Sequence, residues 1–264
     1  MTGVQTCALP IWVEGRLDSI TDHLIQHVAH LVRIAQRIGQ TIALALEPEP
    51  HCQLETIAEA VAYFNEHLFS RAGVARLAAL TGRSNADAEL AMRTHIGVCY
   101  DVCHAAVEFE DAAQSIAQLR ASGILIAKVQ LSSALRVAHV DAESAHHLGA
   151  FAEPVYLHQV VQRLRGELHR FVDLPQALAQ ADNAAGAEWR VHFHVPIFLE
   201  QMQHFGTTQS FLAEFLALHR AEPITRHLEV ETYTWDVLPA EYRNQDVSAA
   251  IARELNWVKA QLLK

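Results

Sequence analysis

Ile96-Gly97-Val98-Cys99-Tyr100-Asp101-Val102-Cys103-His104 is a short apolar run that ends in an acid and, one turn later, an imidazole. A run of this length and character suits a strand buried on both faces, as in a parallel sheet. Strand alternation puts Asp101 on the face of Cys99 and Gly97, and a turn at the strand end can bring His104 beside it. Carboxylate and imidazole together suit Mn, Fe, Co or Zn better than Mg. A helix-capping aspartate followed by an incidental histidine accounts for the same residues.

The pattern recurs on both sides. Upstream, Thr41 to Glu47 is an apolar run ending in an acid, and Pro48 and Pro50 prevent its continuation. Downstream come Ile124 to Gln130, Arg190 to Val195 and His227 to Tyr233. Between these runs apolar residues take helical spacing. Leu17, Ile20, Leu24, Val28, Leu31, Ile34 and Ile38 precede a stop at Gly39, and further helices are expected over 54–69, 110–121, 208–221 and 246–263, with a polar helical insertion over 71–94. Strands alternating with helices imply βαβ units, so five parallel strands are expected, each with polar residues at its C-terminal end. Active sites of barrels and open α/β sheets are built there.

The 264 residues, 51% hydrophobic, suffice for one barrel of about 250 residues or two smaller domains. A formal charge of −10 weighs against nucleic acid, which needs clustered Lys and Arg. No apolar run reaches the roughly 18 residues that span a bilayer. The four cysteines lack paired zinc-type spacing, so reduced thiols in a cytoplasm are the expectation. A thiolate site of Cys99, Cys103, His51 and Cys52 is an irregular alternative, since Cys99 also fits simple burial in a strand. Residues 1–11 carry no charge and read like a translated sequencing adapter; they are set aside as non-native, with the native start expected upstream. The helix from Leu17 then has no strand before it, which fits a barrel cut off before its fourth strand. The stretch 131–189 reads as an insertion. Within it, residues 155–174 suit either a hairpin turning at Arg165-Gly166 or one helical face, and Gly166 with the β-branched content favours the hairpin.

Leu46-Glu47-Pro48, Asp101-x-x-His104, Lys128-Val129-Gln130 and Val230-Glu231-Thr232 occur in an order that resembles xylose-isomerase-like barrels. That superfamily holds sugar epimerases, hydroxypyruvate isomerase and endonuclease IV. The resemblance runs from Ile42 to Tyr233 and implies an α/β fold, a (β/α)8 TIM barrel with strands four to eight present, residues 12–264 forming the partial barrel. It implies Glu47, Asp101, Gln130 and Glu231 as ligands of a divalent ion (Mn, Co, Zn or Mg), with His194 and Glu229 as second choices. Epimerases usually place His where Gln130 stands, whereas hydroxypyruvate isomerase-like members use Gln. Glu47 and Glu231 become the catalytic pair, and His104, Arg136 and His192 the substrate contacts. His192 and His194 share a strand face and look like the Asp-x-His pair of endonuclease IV, with His replacing Asp. Glu229 and Glu231 likewise share a face, Glu229 one layer deeper. The stretch from Leu228 to Pro239 resembles the EboE-type metabolite traffic branch.

The function implied is isomerisation or epimerisation of a hydroxy-carbonyl metabolite through an enediolate, with the two glutamates relaying the proton. Two alternatives follow from the same resemblance. One is a non-catalytic carrier in secondary-metabolite traffic; the other is an endonuclease IV-like phosphodiesterase, disfavoured by the absence of a dense basic run.

Overall fold

The computed structural model describes residues 3–7, 15–243 and 246–264. The strands among them are β1 (Gly3–Cys7), β2 (Ile42–Leu46), β3 (Ile96–Asp101), β4 (Leu125–Leu131) and β5 (Leu135–Val137). There follow β6 (Val160–Leu164), β7 (Glu167–Phe171), β8 (Glu188–Val191), β9 (Gly206–Thr207) and β10 (Leu228–Val230). They form two sheets, ordered β1-β2-β3-β4-β10 and β7-β6-β8-β5-β9. In the first, β1/β2 and β2/β3 are parallel; in the second, the named pairings are antiparallel. The expected eight-stranded parallel barrel is therefore not the architecture of this chain. The run from Arg190 contributes β8 to the antiparallel sheet, between β6 and β5, instead of a parallel strand.

The chain divides into two units, the first comprising Met1–Tyr100, Ala113–Val129 and Ile224–His227. Its helix Leu17–Ile38 buries Leu24, Ile25, Val28, Leu31 and Val32 on one stripe, each such side chain contributing about 1.5–3 kcal/mol. Gly39 ends it in the left-handed region at φ 70°, donating its N–H to the Ala35 carbonyl, a conformation that costs glycine nothing. β1 lies in the segment set aside above and pairs with β2 in the register Gly3↔Ile42. β2 and β3 run Leu44↔Ile96 to Leu46↔Val98. One sheet face is lined by the small residues Ala43, Ala45, Cys99 and Ala127. Gly97 belongs to the same alternation, and a Cβ there would overlap the Leu125 carbonyl oxygen and stand 2.8 Å from the Leu125 Cβ. The insertion over 71–94 is two helices, Arg71–Thr81 and Asn85–His95, divided at Gly82.

The second unit comprises Asp101–Ala112, Gln130–Pro223 and Leu228–Lys264. β6 and β7 form the hairpin, turning at Arg165 and Gly166, both at positive φ, as two-residue hairpin loops require. The two faces of the antiparallel sheet differ in chemistry, and both are covered: Val161, on the Arg190 face, packs with Cys103, Val107 and Ala134. Leu135, Val160, Phe171, Trp189 and Val191 enter the core, while Arg136, Arg163 and Arg190 converge on Glu188 at 2.8, 2.6 and 3.0 Å from the other face. No helix among the described residues is long and apolar enough to cross a membrane.

Candidate metal centre

β3 ends at Asp101, where the backbone turns into the helix Val102–Val107. Asp101 caps that helix: its Oδ1 accepts from the His104 N–H at 2.9 Å and from the Ser132 hydroxyl at 2.8 Å. The cap also folds His104 back, leaving its Nε2 3.9 Å from Asp101 Oδ1. Capping and site-building thus use the same turn. After β8 the Phe193 N–H donates to the Val191 carbonyl at 2.8 Å, a tight turn centred on His192, and Phe193 joins the apolar core while His192 and His194 gather at His104. The His104 and His192 rings meet edge to face at 4.5 Å with their Nε2 atoms 3.0 Å apart. The His194 ring lies 5.9 Å from His104 and 5.3 Å from His192.

The remaining ring nitrogens decide what this cluster can do. His194 Nδ1 is 3.1 Å from the Glu231 carbonyl oxygen, which can only accept, so Nδ1 carries the proton and Nε2 presents a lone pair. His192 Nδ1 is 2.7 Å from Gln159 Oε1, and the same assignment follows once that atom is the amide oxygen. Metal-binding histidines are characteristically held by such an outer bond from the other nitrogen. Asp101 Oδ2 and His194 Nε2 are buried with no hydrogen-bond partner among the described residues. Each unsatisfied atom costs about 1–3 kcal/mol, more when charged, which a cation between them would offset. Ligand atoms of Asp101, His104 and His194 all lie within 4.8 Å of one another, as do those of Cys103, His192 and His194. A tetrahedral ion with metal–nitrogen bonds of about 2.0–2.1 Å separates its nitrogens by about 3.3 Å, near the 3.0 Å between His104 and His192. Asp101, His104 and His194 could therefore hold one divalent transition ion, with His192 beside them.

The electrostatics agree with that chemistry. Burial opposes ionisation of Asp101, but the His104 and His194 imidazoles and two donated hydrogen bonds hold its carboxyl below the ordinary value. Burial, reinforced by the three neighbouring histidines, keeps His192 well below the ordinary imidazole value. Burial likewise pushes His194 down to about 4, although Asp101 works the other way. Both imidazoles are neutral near pH 7, the state in which they ligate.

Among the residues singled out from sequence, the second unit gathers Asp101, His104, His192 and His194, so two expected substrate contacts become candidate ligands. Glu231 follows β10, donating its N–H to the Leu131 carbonyl at 3.3 Å, and its Oε2 stands 3.8 Å from His194 Nδ1. Gln130 is buried on β4, its carbonyl 3.5 Å from the Ser132 hydroxyl. Glu229 is exposed instead of lying deeper in a barrel. Arg136, expected at substrate, is engaged by Glu188 and borders a cavity of about 430 Å³ shared with His139, His147 and His204. Glu47 follows β2 in the first unit and is half-buried. The thiolate alternative disperses. Cys99 packs with alanines, and Cys52 is held as a thiol, pushed up to about 12 by burial and Glu49.

Other residues that brace the cluster escaped the sequence reading. Gln159 orients His192, and the Thr234 hydroxyl donates to the His194 carbonyl. Glu254, fully buried on the helix Val247–Leu262, accepts from the Ile197 N–H at 3.1 Å and the Thr232 hydroxyl at 2.7 Å. A readable sign did exist for Glu254. It sits midway between Ala250 and Val258 on the buried stripe of its helix, a position where a carboxylate is costly without donors. Comparison with family models, curated proteins and solved structures finds no match to this chain.

Proposed function

We propose that this chain is a metal-dependent protein that isomerises or epimerises a small hydroxy-carbonyl metabolite at the Asp101–His104–His192–His194 cluster. The observation that supports this most is the pair of buried, unpartnered atoms, Asp101 Oδ2 and His194 Nε2, the latter left with a lone pair by the bond of Nδ1 to the Glu231 carbonyl. A bound divalent ion would polarise the carbonyl and acidify the neighbouring C–H. The chain supplies the rest. Asp101 balances charge, Gln159 and the Glu231 backbone orient the imidazoles, and the Glu231 carboxylate, 29% exposed, takes and returns the proton as base and acid. Near-complete burial of Asp101 and His194 also favours a second reading, an ion that grips a ligand without turning it over.

Titration of the purified chain with Co²⁺ or Zn²⁺ tests the centre. About one ion per chain should bind, and His194→Ala or Asp101→Asn should weaken binding about 10- to 100-fold. Unchanged affinity in the His192→Ala/His194→Ala double variant would remove the centre. Deuterium uptake from D2O into short hydroxy-ketones by the loaded protein, lost in Glu231→Gln with the ion retained, would support the isomerase. Ligand binding with no exchange would support the carrier.

A further inference from the structure

The loop before β6 displays three consecutive apolar side chains, Val155, Tyr156 and Leu157, to solvent. Exposed apolar side chains beside a candidate site offer a surface for an apolar ligand group. This one is also braced. The Glu153 carboxylate accepts from the Val155 N–H at 2.6 Å and the Tyr156 N–H at 3.0 Å, and meets His158 Nε2 at 2.9 Å. His158 is itself fully buried, donating its N–H to Asp173 Oδ1 at 2.9 Å, with Nδ1 3.3 Å from the His192 carbonyl. The display is therefore fastened to the stretch that carries the candidate ligands.

Tyr156 meets Tyr233 edge to face at 5.0 Å, and the Tyr233 ring stands 4.6 Å from the His194 imidazole. Both tyrosines are exposed, 39% and 38%. A row of rings thus leads from solvent to a candidate ligand. We infer that this row is a stacking wall for the ligand of the metal centre, and that the ligand class is an oxygen-chelating compound bearing a ring or planar apolar group. The inference rests on the metal-centre reading above. Aromatic faces accept rings at centroid separations of about 4.5–7 Å, and the Glu153–His158 brace lets Tyr156 bind without first losing loop entropy.

Two hydroxamates, which chelate through the same pair of oxygens but differ in one ring, test it on the intact, Co²⁺-loaded chain. Benzohydroxamate should bind about 3- to 10-fold more tightly than acetohydroxamate, after division by the ratio measured for free Co²⁺. Tyr156→Ala, an exposed position outside the candidate ligand set, should bring the corrected ratio to about one while Co²⁺ affinity stays the same. Tyr233→Leu, checked for unchanged Co²⁺ affinity, should act alike. A corrected ratio near one in the wild type overturns the stacking wall and leaves the metal centre standing. So does a loaded protein that binds neither hydroxamate, or a ratio that Tyr156→Ala does not move. Failure of Co²⁺ itself to bind takes down the underlying reading, and the wall with it.

Discussion

β2 and β3 are apolar on both faces of the parallel sheet, whereas β8 alternates, with Trp189 and Val191 in the apolar core and Glu188 and Arg190 on the opposite, charged face. The contrast shows how local pattern reports sheet type. A strand apolar on both faces needs a near-continuous apolar run, and a strand with one apolar face needs period two. Taken from Arg190 onward, the run to Val195 looks like its parallel neighbours because it ends in polar residues after apolar ones. Taken from Glu188, the alternation is plain. The charged side is also used: Arg163 and Arg190 lie over the Phe109 ring at 4.4 and 3.9 Å while sharing Glu188.

The contrast breaks or holds most visibly at two strand glycines. Gly97→Ala forces a Cβ into the backbone of Leu125 and should cost about 3 kcal/mol in urea unfolding. Gly206→Ala in β9 meets nothing nearer than 3.7 Å and should change stability by no more than about 0.5 kcal/mol. Equal costs would mean that the parallel sheet is no tighter than the antiparallel one.

Acid should separate the two units next. The unfolded His194 imidazole protonates near its ordinary 6.5, whereas the folded one resists until about 4. Between those values the unfolded chain binds more protons, so the metal-free protein should lose up to about 3 kcal/mol as pH falls through that window, keeping it in full above. Hydrogen exchange should show amides around β8 and residues 192–195 losing protection before those of β2 and β3. Simultaneous loss in both sheets would count against a localised cause.

The smallest effect concerns alkali. Burial raises the Glu254 carboxyl above its ordinary value, so its contribution is full at low pH and is lost as pH rises through the folded value. Glutamine can accept the same two hydrogen bonds without the charge. Glu254→Gln should therefore raise Tm by about 1–2 °C at pH 8 and leave it unchanged at pH 5. A lower Tm at both pH values would make the carboxylate itself necessary.

The parallel strands, the helix Leu17–Ile38 with its Gly39 stop and the Arg165-Gly166 hairpin were legible because each is written in local spacing and one special residue. Beyond that hairpin, the order β6-β8-β5-β9 was not, since it joins segments well separated in the chain by backbone bonds that leave no side-chain signature. The site divides along the same line. Asp101-x-x-His104 and His192-x-His194 announce themselves by type and spacing, but their convergence depends on the antiparallel sheet. The atoms that set the tautomers, the Gln159 amide and the Glu231 carbonyl, belong to residues with nothing unusual about them in sequence. Arg136 misled because its neighbour across the strand register, Arg190, and their shared partner Glu188 lie 52 to 54 positions away.

Gly97 has a meaning for inheritance as well as for packing. Every single-base change that alters a glycine codon's meaning either stops the chain or adds a Cβ, the one atom that the Leu125 carbonyl leaves no room for. No missense step away from this codon is short enough to be neutral, so a lineage can replace Gly97 only after the strand beside it has already shifted.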